Sequence, residues 1–188
     1  VAAYHDRSAG LLRVAAGIPG EAMELQTLEG DASTDVALYT SLAVGADDTV
    51  HITYHDALED ALIYRQLDDE LTPQVREVVD AGQRADGQHV VGLDSKVFLG
   101  ADGAVHVLYQ DGTTADLWEG VRSAGTGWST QPYLEGDPGY GFFVDVAEAS
   151  DGTYWVGEYR YDRVAEMFGA LYVYPDRKST RLNSSHYS

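Results

Sequence analysis

Three stretches of the chain are versions of one another: GADDTVHITYHD (Gly45–Asp56), GADGAVHVLYQD (Gly100–Asp111) and ASDGTYWVGEYRYD (Ala149–Asp162). They recur with a period of about 50 to 55 residues, the mark of a chain built by stacking copies of one supersecondary unit. A fourth copy is represented by AAYHD, which ends at Asp6 about one period ahead of Asp56. Asp6, Asp56 and Asp111 are each followed six positions later by a leucine, Leu12, Leu62 and Leu117. The tetrapeptide LEGD stands at Leu28–Asp31 and again at Leu134–Asp137, each time ahead of an aromatic-containing apolar run.

Within a repeat the pattern is that of four short strands, clearest at Tyr39–Ala46, Thr49–His55, Ala61–Leu67 and Gln74–Val79. Asp102-Gly103 and Asp151-Gly152 are hairpin turns, because glycine takes positive φ without steric penalty, and Asp47-Asp48 fills the same place with a poorer residue. Helix caps and helical periodicity are absent. Four antiparallel strands per period is the unit of a β-propeller blade, whose two faces are both covered by neighbours, and this accounts for the weak polar/apolar alternation of VHITY. A β-sandwich gives similar strand spacing but does not require the chain to repeat itself. The expected fold is therefore all-β: one domain over 1–175 forming part of a β-propeller, with repeats at 1–38, 39–94, 95–140 and 141–175. These amount to about three and a half four-stranded blades in a ring that does not close.

The pattern D-G-x-x-H-V-x-Y-x-D, seen at Asp102–Asp111 and as Asp47–Asp56, resembles the repeats of exported bacterial β-propellers of the loosely defined sialidase-like, Asp-box-like group. Ser150-Asp151-Gly152-Thr153-Tyr154-Trp155 approaches an Asp box. The resemblance implies the fold and an exported location, periplasmic, cell-surface or extracellular. Sialidases of that group use an arginine triad and an acid-activated tyrosine. Arg7, Arg65, Arg122 and Arg160 do not recur at one repeat position, and no such set is assigned.

Residues 176–186, DRKSTRLNSSH, resemble the translation of a sequencing adapter. The expectation is that the natural chain is interrupted near Pro175, that 176–188 is an unstructured tail, and that the natural N-terminus lies upstream of Val1.

Charge narrows the partners. Lys and Arg number 12 against 31 Asp and Glu, a formal charge of -19, so a phosphate backbone is repelled and nucleic acid is not an expected ligand. No stretch is long and apolar enough to span a bilayer. Without cysteine there is neither a disulfide framework nor a thiolate metal site. Phosphate loops, nucleophile elbows and dinucleotide fingerprints are missing, and no cofactor is expected beyond a structural cation.

Where a ligand would bind follows from the blade topology. If the strands run outward from the axis, the link between second and third strands lies at the same end as the links between blades. That end gathers Asp6, Asp56 and Asp111 with Glu29, Asp31, Asp35, Glu135 and Asp137, an acidic rim able to take a glycan, a peptide or a cation. The competing reading makes Tyr-x-Asp a building device, with the tyrosine packed and the aspartate accepting turn N–H groups.

His51 and His55 cannot share one ion, because four residues of strand span about 13 Å. His51 and His106 read as packed histidines, whereas His5 and His55 lie nearer the rim. Glu158-Tyr159-Arg160-Tyr161-Asp162 departs from the simpler motif of its sister repeats. The candidate ligand-binding residues are thus His5, Asp6, His55, Asp56, Asp111, Glu158, Arg160 and Asp162. The expected function is a recognition or scaffold propeller without evident catalysis. The alternative is a carbohydrate-active hydrolase or lyase, which would show polar residues unique to one blade converging on the channel.

Overall fold

The computed structural model describes residues 1–18, 20–31, 33–34, 36–100, 103–123 and 127–175. Asp35, Asp102 and the adapter-like tail 176–188 lie outside the described residues. Strands β1 (Ala2–Asp6), β2 (Leu11–Ala16) and β3 (Glu24–Gly30) make the first antiparallel sheet. The second holds β4 (Val36–Val44), β5 (Val50–Asp56), β6 (Ala61–Leu67) and β7 (Pro73–Asp80) in sequential order. A small hairpin, β8 (Gln83–Arg84) with β9 (Gly87–Gln88), leads to the third sheet, β10 (Val91–Leu99), β11 (Val105–Asp111), β12 (Asp116–Ser123) and β13 (Gly127–Leu134). Strands β14 (Gly139–Glu148), β15 (Tyr154–Asp162) and β16 (Met167–Pro175) complete the series. The described residues contain no helix. The chain is a β-propeller of four successive blades that do not close into a ring.

Register makes the repeat explicit. Asp6 pairs with Leu11, Asp56 with Ala61, Asp111 with Asp116 and Asp162 with Met167, so β1, β5, β11 and β15 hold the same place in their blades. Strands β4, β10 and β14 are the innermost, packing on one another along the axis.

Each pair of neighbouring blades encloses its own core. Leu12 and Val14 of the first meet Ile52, Tyr54 and Ile63 of the second. Leu62 and Tyr64 on the opposite face of β6 meet Val97, Val107 and Tyr109 of the third. Leu108 and Leu117 then meet Val144 and Val156 of the fourth. Every residue of β5 and β11 is buried, the physical reason these strands lack alternation. Each fully buried Leu, Ile or Val contributes about 1.5–3 kcal/mol relative to exposure.

Polar stitches reinforce these apolar contacts. The Tyr54 hydroxyl donates to Glu29 at 2.5 Å, and Arg65 and Arg76 donate to the same carboxylate at 2.6 and 2.9 Å. Burial alone would raise the Glu29 carboxyl, but the hydrogen bonds from Arg76, Tyr54 and Arg65 prevail and hold it below its ordinary value. One interface further on, Tyr109 donates to Asp80 at 2.6 Å, and Arg84 pairs with Asp80 at 2.6 Å. The tyrosine of Tyr-x-Asp thus anchors its blade to an acid of the preceding one.

Candidate functional site at the propeller axis

The three innermost strands share an irregularity. Their pairing with the second strand slips twice, between Val36 and Ser41, between Val91 and Lys96, and between Gly139 and Asp145. Within each slipped segment two residues take positive φ: Ala37 and Tyr39 (76° and 53°), Gly92 and Asp94 (90° and 46°), Gly141 and Phe143 (80° and 53°). Bulges of this kind turn side chains that would otherwise lie in the sheet toward a new direction. At Gly92 the geometry demands glycine, because a Cβ there would lie 2.8 Å from Cβ of Leu62.

Tyr39, Asp94 and Phe143 therefore occupy one symmetry-related position at the axis, with three different side chains. They line a shallow cleft of about 180 Å³ together with Thr40, Ser95 and Val144. Tyr39 and Phe143 are exposed, at 46% and 64%. Asp94 is partly buried between the strands that carry them. Its Oδ2 accepts the Phe143 N–H at 3.1 Å, and burial pushes its carboxyl up from the ordinary value, only partly offset by that hydrogen bond. Ser95 bridges to the preceding blade by donating to the Tyr39 carbonyl at 3.0 Å. Below the cleft, Lys96 of β10 and Asp145 of β14 form an ion pair at 2.7 Å. Among the described residues no group of three His, Cys, Asp or Glu side chains is arranged to hold a metal ion.

The turn aspartates Asp6, Asp56, Asp111 and Asp162 lie one per blade. Asp6 accepts the Ser8 hydroxyl at 2.7 Å and pairs with Arg13 at 3.0 Å, while His5 sits beside it, partly buried in β1. Asp56 accepts the N–H groups of Leu58 and Glu59, Asp111 those of Thr113 and Thr114, and Asp162 those of Val164 and Ala165. Each of these three shapes the turn after its strand. His55 is 3% exposed, and its Nδ1 donates to the Val91 carbonyl at 2.8 Å. Gln110, at the same repeat position, donates to the Tyr140 carbonyl at 2.6 Å, so both side chains tie one blade to the next. Asp111 is fully buried and also binds His89 Nδ1 at 2.7 Å. Of the rim acids, Glu29 is taken up in the stitch with Tyr54, and Asp31 accepts from the Ser33 hydroxyl and N–H.

Glu158, Arg160 and Asp162, by contrast, are brought together at the interface of the third and fourth blades. Glu158 is fully buried and accepts the Gly141 N–H at 2.7 Å and Arg160 Nε at 3.1 Å. Arg160 and Asp162 line a cleft of about 310 Å³ with Asp137, Pro138 and Tyr172. No register slip falls in β15 itself: the extra residue opposite Tyr159–Tyr161 lies in β16.

Sequence reasoning passed over Asp94, Tyr39 and Phe143. The signal was present, because VALYTSLAV, VGLDSKVFL and YGFFVDVAE align without gaps and put the three residues in one column.

No family model and no curated protein matches the chain. Solved structures do. An exo-1,5-α-L-arabinanase from a bovine ruminal metagenomic library superposes with a TM-score of 0.58 at 12% identity, over 90% of this chain and 66% of that one. An endo-arabinase from Bacteroides thetaiotaomicron gives 0.55 at 12% identity, over 92% and 72%. An α-L-arabinofuranosidase from Lactobacillus brevis gives 0.55 at 9% identity, over 74% and 49%. At such identities the likeness is one of fold, and it defines the class: a β-propeller. The chain spans between about half and about seven tenths of the length of these structures.

Proposed function

We propose that the chain belongs to an exported carbohydrate-recognising propeller that takes a neutral sugar unit in the axial cleft. One observation carries this reading. One column of the innermost strands holds two exposed aromatic rings and one carboxylate, a different residue in each of the three blades that carry such a strand. Residues that build a repeat obey its symmetry, as the turn aspartates do, whereas a ligand site must depart from it. Aromatic faces offer apolar area to the C–H face of a sugar, and a partly desolvated carboxylate accepts its hydroxyl protons strongly. The arabinanase and the endo-arabinase among the solved structures of like fold support the choice of ligand class.

The test is a calorimetric titration with α-1,5-linked arabino-oligosaccharides. Asp94→Asn keeps the shape and the acceptor for Phe143 N–H but loses the charge. Affinity is expected to fall about tenfold, matching the loss of one charge-assisted hydrogen bond. Equal affinity in wild type and variant, or no binding of any neutral glycan, overturns the reading.

A second reading, glycoside hydrolysis, is favoured by the upward shift of the Asp94 carboxyl, the property required of a general acid. That chemistry needs a second carboxylate about 5 to 9.5 Å away. The described residues lining the cleft include only Asp94. Release of reducing sugar by wild type, abolished in Asp94→Asn, would establish hydrolysis in place of recognition.

A further inference from the structure

In the first three blades the residue two places before the turn aspartate is tyrosine: Tyr4, Tyr54 and Tyr109. In the fourth it is Arg160, although β15 keeps the same register into its turn. Tyr54 and Tyr109 are spent on stitches to the preceding blade. Arg160 makes no such stitch. Its Nε binds Glu158 on its own strand at 3.1 Å, and its guanidinium lies 3.8 Å over the ring of Tyr172 and 5.1 Å from that of Tyr140. Its two terminal nitrogens have no hydrogen-bond partner among the described residues, and they belong to a group held rigid over an aromatic face in the cleft shared with Asp137 and Asp162.

We infer that this cleft is a second sugar subsite, in which the Arg160 terminal nitrogens donate to adjacent hydroxyl oxygens and the carboxylates of Asp137 and Asp162 accept the hydroxyl protons. The inference rests on the glycan reading of the axial cleft and extends it outward along the same end of the blades. Charge selects the ligand. Three carboxylates, Glu158, Asp137 and Asp162, stand against one guanidinium, so a uronate, sulfate or phosphate is repelled, as it is by the chain as a whole. A bare ammonium would leave the Arg160 donors unmatched. A neutral vicinal diol satisfies both donors and acceptors. Asp162 spends only Oδ1 on its turn, which leaves Oδ2 for the ligand, and Asp137 is exposed beside Pro138. The volume of about 310 Å³ is at the lower end of ligand pockets, suited to a sugar unit and too small for a folded partner.

Continuity with the axis is provided by register. Tyr39, Asp94 and Phe143 stand early in the innermost strands, which pair there with the Asp56, Asp111 and Tyr161 ends of the second strands, and Asp162 at that same end lines the outer cleft. A glycan held at Asp94 and extended along that end of the blades runs toward the cleft.

The experiment measures affinity against chain length with α-1,5-linked arabino-oligosaccharides for wild type, Arg160→Lys and Asp137→Asn, with thermal melting alongside. Arg160→Lys keeps a cation beside the buried Glu158 but loses the planar fork. In wild type, affinity is expected to rise about tenfold at the length that first reaches the cleft. In both variants that step should flatten while the shortest sugars bind as before. A step unchanged in both variants overturns the subsite and leaves the axial reading intact, as does a wild-type ladder that binds short sugars and gains nothing with length. A loss shared equally by short and long sugars with a lowered melting point assigns Arg160 a packing role and also overturns it. No binding at any length removes both readings together. A uronate ladder that binds more tightly than the neutral one contradicts the charge argument.

Discussion

The blade interfaces and the axial cleft are built from the same repeat and treat it in opposite ways. At the interfaces the chemistry is copied: Tyr54 to Glu29 and Tyr109 to Asp80, with arginines completing each acid, and His55 and Gln110 both binding the first carbonyl region of the next innermost strand. At the axis the backbone is copied while the side chains are not, since Tyr39, Asp94 and Phe143 share one strained position. Copied chemistry serves the stacking that every blade requires. A copied backbone with divergent side chains is a frame for something required once.

The largest effect should come from the copied set. Asp80 is almost fully buried and compensates Arg84 while accepting from Tyr109, and burial, which alone would raise its carboxyl, is outweighed by those donors. Asp80→Ala leaves the buried Tyr109 hydroxyl without its acid and Arg84 with only the longer carboxylate contact to Asp111, and is expected to lower stability by about 3 kcal/mol, read from the shift in urea midpoint. Sugar affinity per folded molecule should not change. A variant that lost affinity at full stability would break the division between the two regions.

The divergent set should behave in the reverse manner. Burial raises the Asp94 carboxyl in the folded chain, so its contribution to stability is present below the unfolded-state value and lost as pH rises through the folded-state value. Asp94→Asn is therefore expected to melt slightly higher than wild type at neutral pH, with the gap closing toward about pH 4. A variant less stable than wild type at pH 7 would make Asp94 a structural residue.

The smallest effect concerns His89, which joins the inter-blade hairpin to the third blade. Its Nδ1 meets Asp111 at 2.7 Å and its Nε2 meets Asp86 at 3.1 Å, with Arg84 Nε 3.6 Å from Asp111 on the other side. The hydrogen bond to Asp111 and the two nearby carboxylates raise its pKa above the usual histidine value despite burial. The stability it adds is full below about pH 6.5 and fades as pH climbs through the raised value. The stability difference between wild type and His89→Gln should accordingly be larger at about pH 6 than at about pH 9. A difference independent of pH would show that the imidazole acts by packing alone.

Much of this architecture could be read from the chain. The second-blade strands expected at Thr49–His55 and Ala61–Leu67 are found at Val50–Asp56 and Ala61–Leu67, because strand composition and turn chemistry are local properties. Glycine or aspartate at the first hairpin of each blade was likewise legible: Asp48, Gly103 and Gly152 all take positive φ there. The destinations of the side chains were not legible. His55 is within reach of solvent on a strand diagram, yet it is buried on the Val91 carbonyl of another blade.

What the sequence determined by itself was the repeat, and with it the all-β blade, since the pattern of apolar residues and turns fixes each unit through contacts close along the chain. What only the tertiary structure decided was which member of each repeat column meets which neighbour: the acid that Tyr109 reaches, the cleft that Arg160 enters, and the convergence of Tyr39, Asp94 and Phe143. Those residues are about one period apart and belong to different sheets, and no local preference of the backbone brings them together. They meet because each blade buries both faces against the next, so that equivalent positions of successive innermost strands face one axis.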